Sequence, residues 1–381
     1  MHELENAAPL ASATRERGDG PPGLGRRGVR WLGTRGRLIP VALLAMASAI
    51  SAASATSPPI ADGTPVADTV IAPAVRLPLW PGDGLAPGDH ALATPQRTIE
   101  RSRDTALPDR YVDHVSQPYL VVYLPARPSG AALLVIPGGG YQRIVLDKEG
   151  TALLPDFVER GGLTLFVLRY RLPGEGHADG ADAPLFDAQR ALRIIRAGAA
   201  RWQLDPGRIG VMGFSAGGHV AASLGTRYGE QRQPGHDEID AVDARPDFQL
   251  LVYPVIDMTG PSAHPGSRDR LLGAGPPAPA LARRYSPQYH VDARTPPTFL
   301  VHAQDDAVVP IANSLMFYDA LRAAGVPSEL HAFPHGGHGF GVRGTVGLTV
   351  AAWPQLALDW IASQDKAKAA PPRPQAQETS R

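Results

Sequence analysis

Gly213-Phe214-Ser215-Ala216-Gly217 has the spacing G-x-S-x-G, after an apolar run (Arg208–Met212) and before a helical one (Gly218–Leu224). A sharp turn between strand and helix would lift the Ser215 hydroxyl above a sheet, with the flanking glycines letting backbone approach closely. At a helix N-terminus the same hydroxyl sits where developing negative charge is favoured. Such a serine is inert without a base and a place for the oxyanion it creates. The base comes from His335-Gly336-Gly337-His338-Gly339-Phe340-Gly341, with His338 the first candidate and His335 the second. Asp305, Asp306 and Asp257 each follow an apolar run between serine and histidine, and any of them could orient the imidazole. Pro137-Gly138-Gly139-Gly140-Tyr141 follows the run Ala131–Ile136. Its glycines allow backbone N–H groups to face a cavity, and the residue after the nucleophile, Ala216, supplies a second donor. The Gly-Lys-Ser/Thr of a phosphate loop is missing. His331, His335 and His338 are separated by Pro334 and glycines, which break the helix that would align metal ligands.

The elements that must hold these groups alternate along the chain. Tyr119–Leu124, Ala131–Ile136, Thr164–Leu168, Arg208–Met212, Phe248–Tyr253, Thr298–Val301 and Leu330–Phe333 read as strands, several nearly continuous in apolar residues, as buried parallel strands are. Ala188, Leu192, Ile195, Ala199 and Trp202 recur at helical spacing. A second helix runs from about Ile311 to Ala324 before Gly325-Val326-Pro327, and Trp353-Pro354 opens a last one. This alternation predicts one α/β domain, a mostly parallel central sheet flanked by helices, over residues 111–365. Residues 56–110, rich in Pro and Gly, read as an irregular lead-in with one strand, and 366–381 as a disordered tail. Residues 260–294 read as a small insertion over the active site.

Composition removes other chemistries. The 381 residues include no Cys, which excludes a thiol nucleophile, Cys-ligated metal and disulfides. Thirty-seven basic and 37 acidic side chains balance, so no global field favours nucleic acid. At the N-terminus, Arg26, Arg27, Arg30, Arg35 and Arg37 precede the apolar Leu38–Ile50 and the small residues Ala53-Ser54-Ala55. This is the pattern of a secretory signal peptide over 1–55, whose apolar stretch is too short to span a bilayer, and it predicts a periplasmic or secreted protein without stable membrane insertion.

With these residues in place, the chain resembles the α/β-hydrolase superfamily. More narrowly, it is similar to bacterial secreted esterases grouped with acetyl-xylan and other carbohydrate acetylesterases. The likeness runs from about Leu77 to Ile361 through PGGGY at 137–141, Asp147-Lys148-Glu149-Gly150, Tyr170-Arg171-Leu172-Pro173, Asp187-Ala188-Gln189-Arg190-Ala191, GFSAGGH at 213–219, His264-Pro265-Gly266-Ser267-Arg268, HAQDDAVVP at 302–310 and GGHGFG at 336–341. It implies Ser215 as nucleophile, Asp306 of D-x-x-V-P as the acid, and His338 as the base. Gly139, Gly140 and Ala216 become the oxyanion donors. Tyr141, by its place beside that loop, is expected to limit the size of the acyl group. Pro137 stands where many relatives have His. The resemblance assigns structural roles to His219 and His302, and has Asp187 and Arg190 tie a helix to a loop. His264, Ser267 and Arg268 are candidates for choosing substrate. The implied activity needs no cofactor: a serine esterase removing short, acetyl groups from acetylated xylan or oligosaccharides. General carboxylesterase or lipase-like activity, a prolyl-oligopeptidase-type peptidase (for which the lead-in is too short to hold a propeller) and a binding protein on an inactive scaffold are the alternatives.

Overall fold

Each of the seven apolar runs forms a strand of one sheet in the computed structural model, which describes residues 64–66, 74–230 and 237–369. In chain order these residues hold β1 (Thr64–Val66), β2 (Ala74–Pro78), β3 (Arg97–Glu100), β4 (Arg110–Asp113), β5 (Tyr119–Tyr123), β6 (Ala132–Ile136), β7 (Ile144–Val145), β8 (Thr164–Arg169), β9 (Ile209–Phe214), β10 (Gln249–Val252), β11 (Thr298–Ala303) and β12 (Ser328–Phe333). The α-helices are α1 (Ala183–Ala197), α2 (Ser215–Arg227), α3 (Pro265–Leu272), α4 (Pro279–Arg284), α5 (Ala312–Ala323) and α6 (Trp353–Ala369). The main sheet has the order β12-β11-β10-β9-β6-β8-β5-β2, parallel from β12 to β8 and antiparallel at β5 and β2.

Strand pleating divides the interior in two. In β6, Ala132, Leu134 and Ile136 enter one apolar cluster with Leu192 of α1, Val220 of α2 and Phe317 of α5. Leu133 and Val135 enter the other, with Phe157 and with Trp353, Ala357 and Ile361 of α6. Both faces are therefore covered, which is why the parallel strands read as unbroken apolar runs rather than as alternation. Arg171, past the end of β8, is buried against Asp187 of α1 at 2.7 Å and against Asp89 and Asp179 at 2.7 and 2.9 Å, which fastens the N-terminal segment to the sheet. Arg190 ties α1 to the Leu79 carbonyl and to Asp237. Among the described residues no helix is long and apolar enough to cross a membrane.

Two boundaries depart from the sequence reading. The lead-in is not irregular with one strand: β2 extends the main sheet against β5, while β1, β3, β4 and β7 make a second, antiparallel sheet. Its strands are too short to show a period, and their partners along the sheet stabilise them instead. The last helix also runs through Lys366–Ala369, where a tail is expected, because Lys and Ala continue a helix readily. The expected signal peptide at 1–55 and the chain from 370 onward lie outside the described residues. Residues 260–294 carry α3 and α4.

Candidate active site

Because β6, β9, β11 and β12 run parallel, the segments that follow them emerge on one edge of the sheet. The Pro137–Tyr141 loop follows β6, Ser215 follows β9, Asp306 follows β11 and His338 follows β12. Ser215 opens α2 with φ of +52°, a left-handed conformation that a non-glycine residue adopts at a cost and that aims its side chain out of the turn. The turn closes only because position 217 is glycine: a Cβ there would stand 2.1 Å from the Ile136 carbonyl oxygen. At Gly139, φ is +134° and a Cβ would meet the Arg143 carbonyl oxygen at 2.1 Å, so this loop too depends on glycine.

The edge brings three of the predicted residues into one chain of hydrogen bonds. Ser215 Oγ lies 2.9 Å from His338 Nε2, and His338 Nδ1 lies 2.7 Å from Asp306 Oδ2. Asp306 Oδ1 accepts from the Val308 and Val309 N–H groups at 2.9 and 2.8 Å. Burial raises the Asp306 carboxyl, but hydrogen bonds from His302 and His338 and the nearby imidazole charge outweigh it, holding the group well below the usual carboxylate range. A carboxylate at Nδ1 fixes the tautomer that leaves Nε2 free to accept from the serine hydroxyl.

The other candidates stand elsewhere. Asp305 faces the exposed His335 at 3.2 Å and accepts from the Gly336 and Gly337 N–H groups. Asp257 accepts from the Thr259 and Gly260 N–H groups. His331 pairs with Glu329, so the three late histidines meet three different carboxylates. His302 is buried between Ser314 Oγ and the Asp306 carboxylate, behind the cavity.

The glycine loop rests on residues whose role the sequence did not disclose. Glu149, buried, accepts from the Gly138 N–H at 2.6 Å and from the Tyr253 hydroxyl at 3.0 Å. Burial pushes its carboxyl up, against the pull of those two donors. Tyr253 in turn packs edge-on against His338, with ring centroids 5.0 Å apart. The Tyr170 hydroxyl donates to the Pro137 carbonyl at 3.0 Å. The DKEG motif at 147–150, nine residues past the triple glycine at its glutamate, was the available signal for Glu149. Ala216, in the first turn of α2, has an N–H with no acceptor inside the helix. Gly139 and Gly140 line the same cavity as Ser215.

Tyr141 is a correction. It does not face the cavity beside Ser215; its hydroxyl lies 2.6 Å from His219 Nδ1, and the side chain is buried. With φ of +59°, the backbone at Tyr141 turns the ring inward, onto the edge of the His219 imidazole. His219 Nε2 in turn meets the Tyr285 carbonyl at 2.6 Å, and burial pushes this imidazole down to about 4. Tyr141 thus anchors the loop from within.

The cavity above Ser215 holds about 520 Å³. Its lining side chains are almost all polar; Val145 and Val308 are the apolar ones. From the insertion, His264, Gly266 and Arg270 reach it. Ser267 is buried under the His264 ring, its N–H capped by Nδ1, and Arg268 pairs with Asp269, so of the three insertion candidates only His264 faces the cavity. On this edge a hydroxyl could be deprotonated and attack a carbonyl whose oxygen turns to the backbone N–H groups.

Similar proteins match more than half of the chain. An acetylxylan esterase of Xylanibacter ruminicola is 37% identical over 225 residues, covering 58% of this chain and 43% of that protein. Endo-1,4-beta-xylanase B of Butyrivibrio fibrisolvens is 38% identical over 210 residues, 55% of this chain and 32% of its own length. The chain thus spans less than half the length of these two curated relatives. A crystal structure described as an acetyl ester-xyloside bifunctional hydrolase from Caldicellulosiruptor lactoaceticus superposes with a TM-score of 0.61 at 36% identity, covering 76% of this chain and 96% of that one. Residues 120–321, just over half the chain, match the family model described as BD-FAE, and the chain belongs to that family of α/β hydrolases.

Proposed function

We propose that the chain is a serine esterase that removes short acyl groups, acetyl above all, from the hydroxyls of saccharides. The observation that carries this reading is the continuous contact of Ser215 Oγ with His338 at 2.9 Å and of His338 with Asp306 at 2.7 Å, on the wall of a polar cavity. In the reaction, His338 takes the Ser215 proton as Oγ attacks the ester carbonyl, and Asp306 holds the imidazole and stabilises its charged form. The N–H groups of Gly139 or Gly140 and of Ala216 receive the oxyanion. The imidazolium then protonates the departing alcohol, and a water activated by the same imidazole releases the acid.

The cavity supports the small-acyl, polar-alcohol form of this reading. A long alkyl chain needs an apolar trench, and Val145 and Val308 are too few to form one. The names of the acetylxylan esterase and of the bifunctional hydrolase agree with acetylated xylan as a substrate class. Acetate release from acetylated xylan, simple sugar acetates and acetylated peptides, with Ser215→Ala as control, tests it. Turnover of p-nitrophenyl acetate above that of the octanoate is expected; the reverse order would favour a lipase-like or general carboxylesterase. Export through the 1–55 segment is part of the proposal, and N-terminal sequencing of secreted protein should find a start near Thr56.

A further inference from the structure

We propose that the esters this cavity selects are those of acidic saccharides, whose alcohol part bears a carboxylate of the uronic-acid type. The inference rests on the esterase reading above and narrows its substrate. Four cationic side chains, Arg101, Arg143, Lys148 and Arg270, line the cavity that holds Ser215 and His338. The one carboxylate lining it is Glu149, buried and already engaged by the Gly138 N–H and the Tyr253 hydroxyl. Burial favours the neutral form of that acid, which leaves the cations still less compensated. Asp306 faces the back of His338 with its side chain closed to solvent.

Several buried arginines elsewhere in the chain are paired closely with carboxylates. Arg110, Arg171, Arg190 and Arg227 each have a carboxylate oxygen within 2.8 Å. Arg101 is likewise tied to Asp109 at 2.7 Å. Among the described residues, Arg143, Lys148 and Arg270 have no carboxylate within ion-pair distance. Arg143 is half-buried, and both its burial and the neighbouring Arg101 disfavour its charge. A cleft lined by one sign of charge focuses its field and concentrates counter-ions of the opposite sign. An acetyl group occupies only a small part of 520 Å³, so the cationic remainder faces the alcohol. Gln142 and Arg270 also line a second cavity of about 540 Å³, whose other walls include His90, Thr94, Arg97, Asp113 and Glu175.

Lys148 and Arg270 are exposed, so the selection must be salt-sensitive and moderate. The test compares kcat/KM for the same acetyl position on the methyl glycosides of a hexuronic acid and of the corresponding neutral hexose. At about 20 mM NaCl the uronate should be favoured about fivefold, and the ratio should approach unity near about 0.5 M NaCl. The double variant K148A/R270A should lower the ratio at low salt. Calorimetric titration of the free methyl glycosides reads the same charge selection without turnover and should show tighter uronate binding. A kinetic ratio at or below one, equal binding of the two glycosides, or a preference that survives both salt and the double substitution would overturn the inference. Hydrolysis of p-nitrophenyl acetate, run in parallel, judges the esterase reading on its own: its absence condemns that reading, whereas turnover without charge preference condemns only this one.

Discussion

Replacing Glu149 should separate support of the glycine loop from ordinary burial. Its carboxylate accepts from the Gly138 N–H at 2.6 Å and from the Tyr253 hydroxyl at 3.0 Å. Glu149→Ala leaves both donors buried without a partner, at about 1–3 kcal/mol each, so a loss near 3 kcal/mol is expected after partial relaxation. The Gly138–Gly140 backbone would also lose its tether, and misplacing one oxyanion donor costs about 10²-fold in turnover. Glu149→Gln keeps an oxygen acceptor for the Gly138 N–H, but its amide nitrogen can only donate to the Tyr253 oxygen, so the tyrosine O–H alone loses its acceptor. Because burial raises the folded pKa of Glu149, ionisation works against folding: stability is lost as pH rises from the unfolded value of 4.5 through the higher folded one. Glutamine escapes that penalty, which offsets part of the cost of the one unpaired tyrosine O–H, so E149Q at pH 7 should lie within about 2 kcal/mol of wild type and within about tenfold in kcat. Urea unfolding followed by tryptophan fluorescence, with steady-state hydrolysis of p-nitrophenyl acetate, reads both quantities. Wild-type stability and kcat in E149A, or E149Q as damaged as E149A, would refute the reasoning.

Three further outcomes follow from the geometry. Gly217→Ala would drive a Cβ to 2.1 Å from the Ile136 carbonyl oxygen, so thermal unfolding should show a loss of at least about 2 kcal/mol together with lost activity. Asp306→Asn should lower kcat by about 10³–10⁴ with little change in KM, because the amide offers His338 a donor where the tautomer needs an acceptor. Burial holds His219 near pKa 4, below the ordinary imidazole value of 6.5, so the unfolded chain binds its proton first and stability falls as pH drops from about 6.5 to 4. The loss is about 3 kcal/mol in total, and urea titrations at pH 7 and pH 4 should find it in wild type but not in His219→Gln.

The candidate active-site edge was legible where chemistry and strand ends coincide. Ser215 and the glycine loop each follow an unbroken apolar run, because strands buried on both faces leave that mark in the sequence, whereas His338 follows the part-buried edge strand β12 and was found by its glycine-rich motif. The choice among Asp305, Asp306 and Asp257 was not legible from spacing, since all three follow strands; it depends on which carboxylate the loop turns toward the imidazole. Tyr141 misled because adjacency to the glycine loop says nothing about ring direction, which the positive φ decides. Glu149 and Tyr253 escaped notice because their partners are a backbone N–H and each other, 104 residues apart in sequence. The short strands β1 to β4 were hidden because so few residues show no period.

Stoichiometric labelling tests the central claim most directly. On incubation with a p-nitrophenyl phosphonate or phosphate ester, peptide mapping by mass spectrometry should place roughly one adduct per chain on Ser215, with activity lost in parallel. Labelling should fall sharply in His338→Ala. An adduct on another side chain, or esterase activity that persists once Ser215 is fully labelled, would contradict the account.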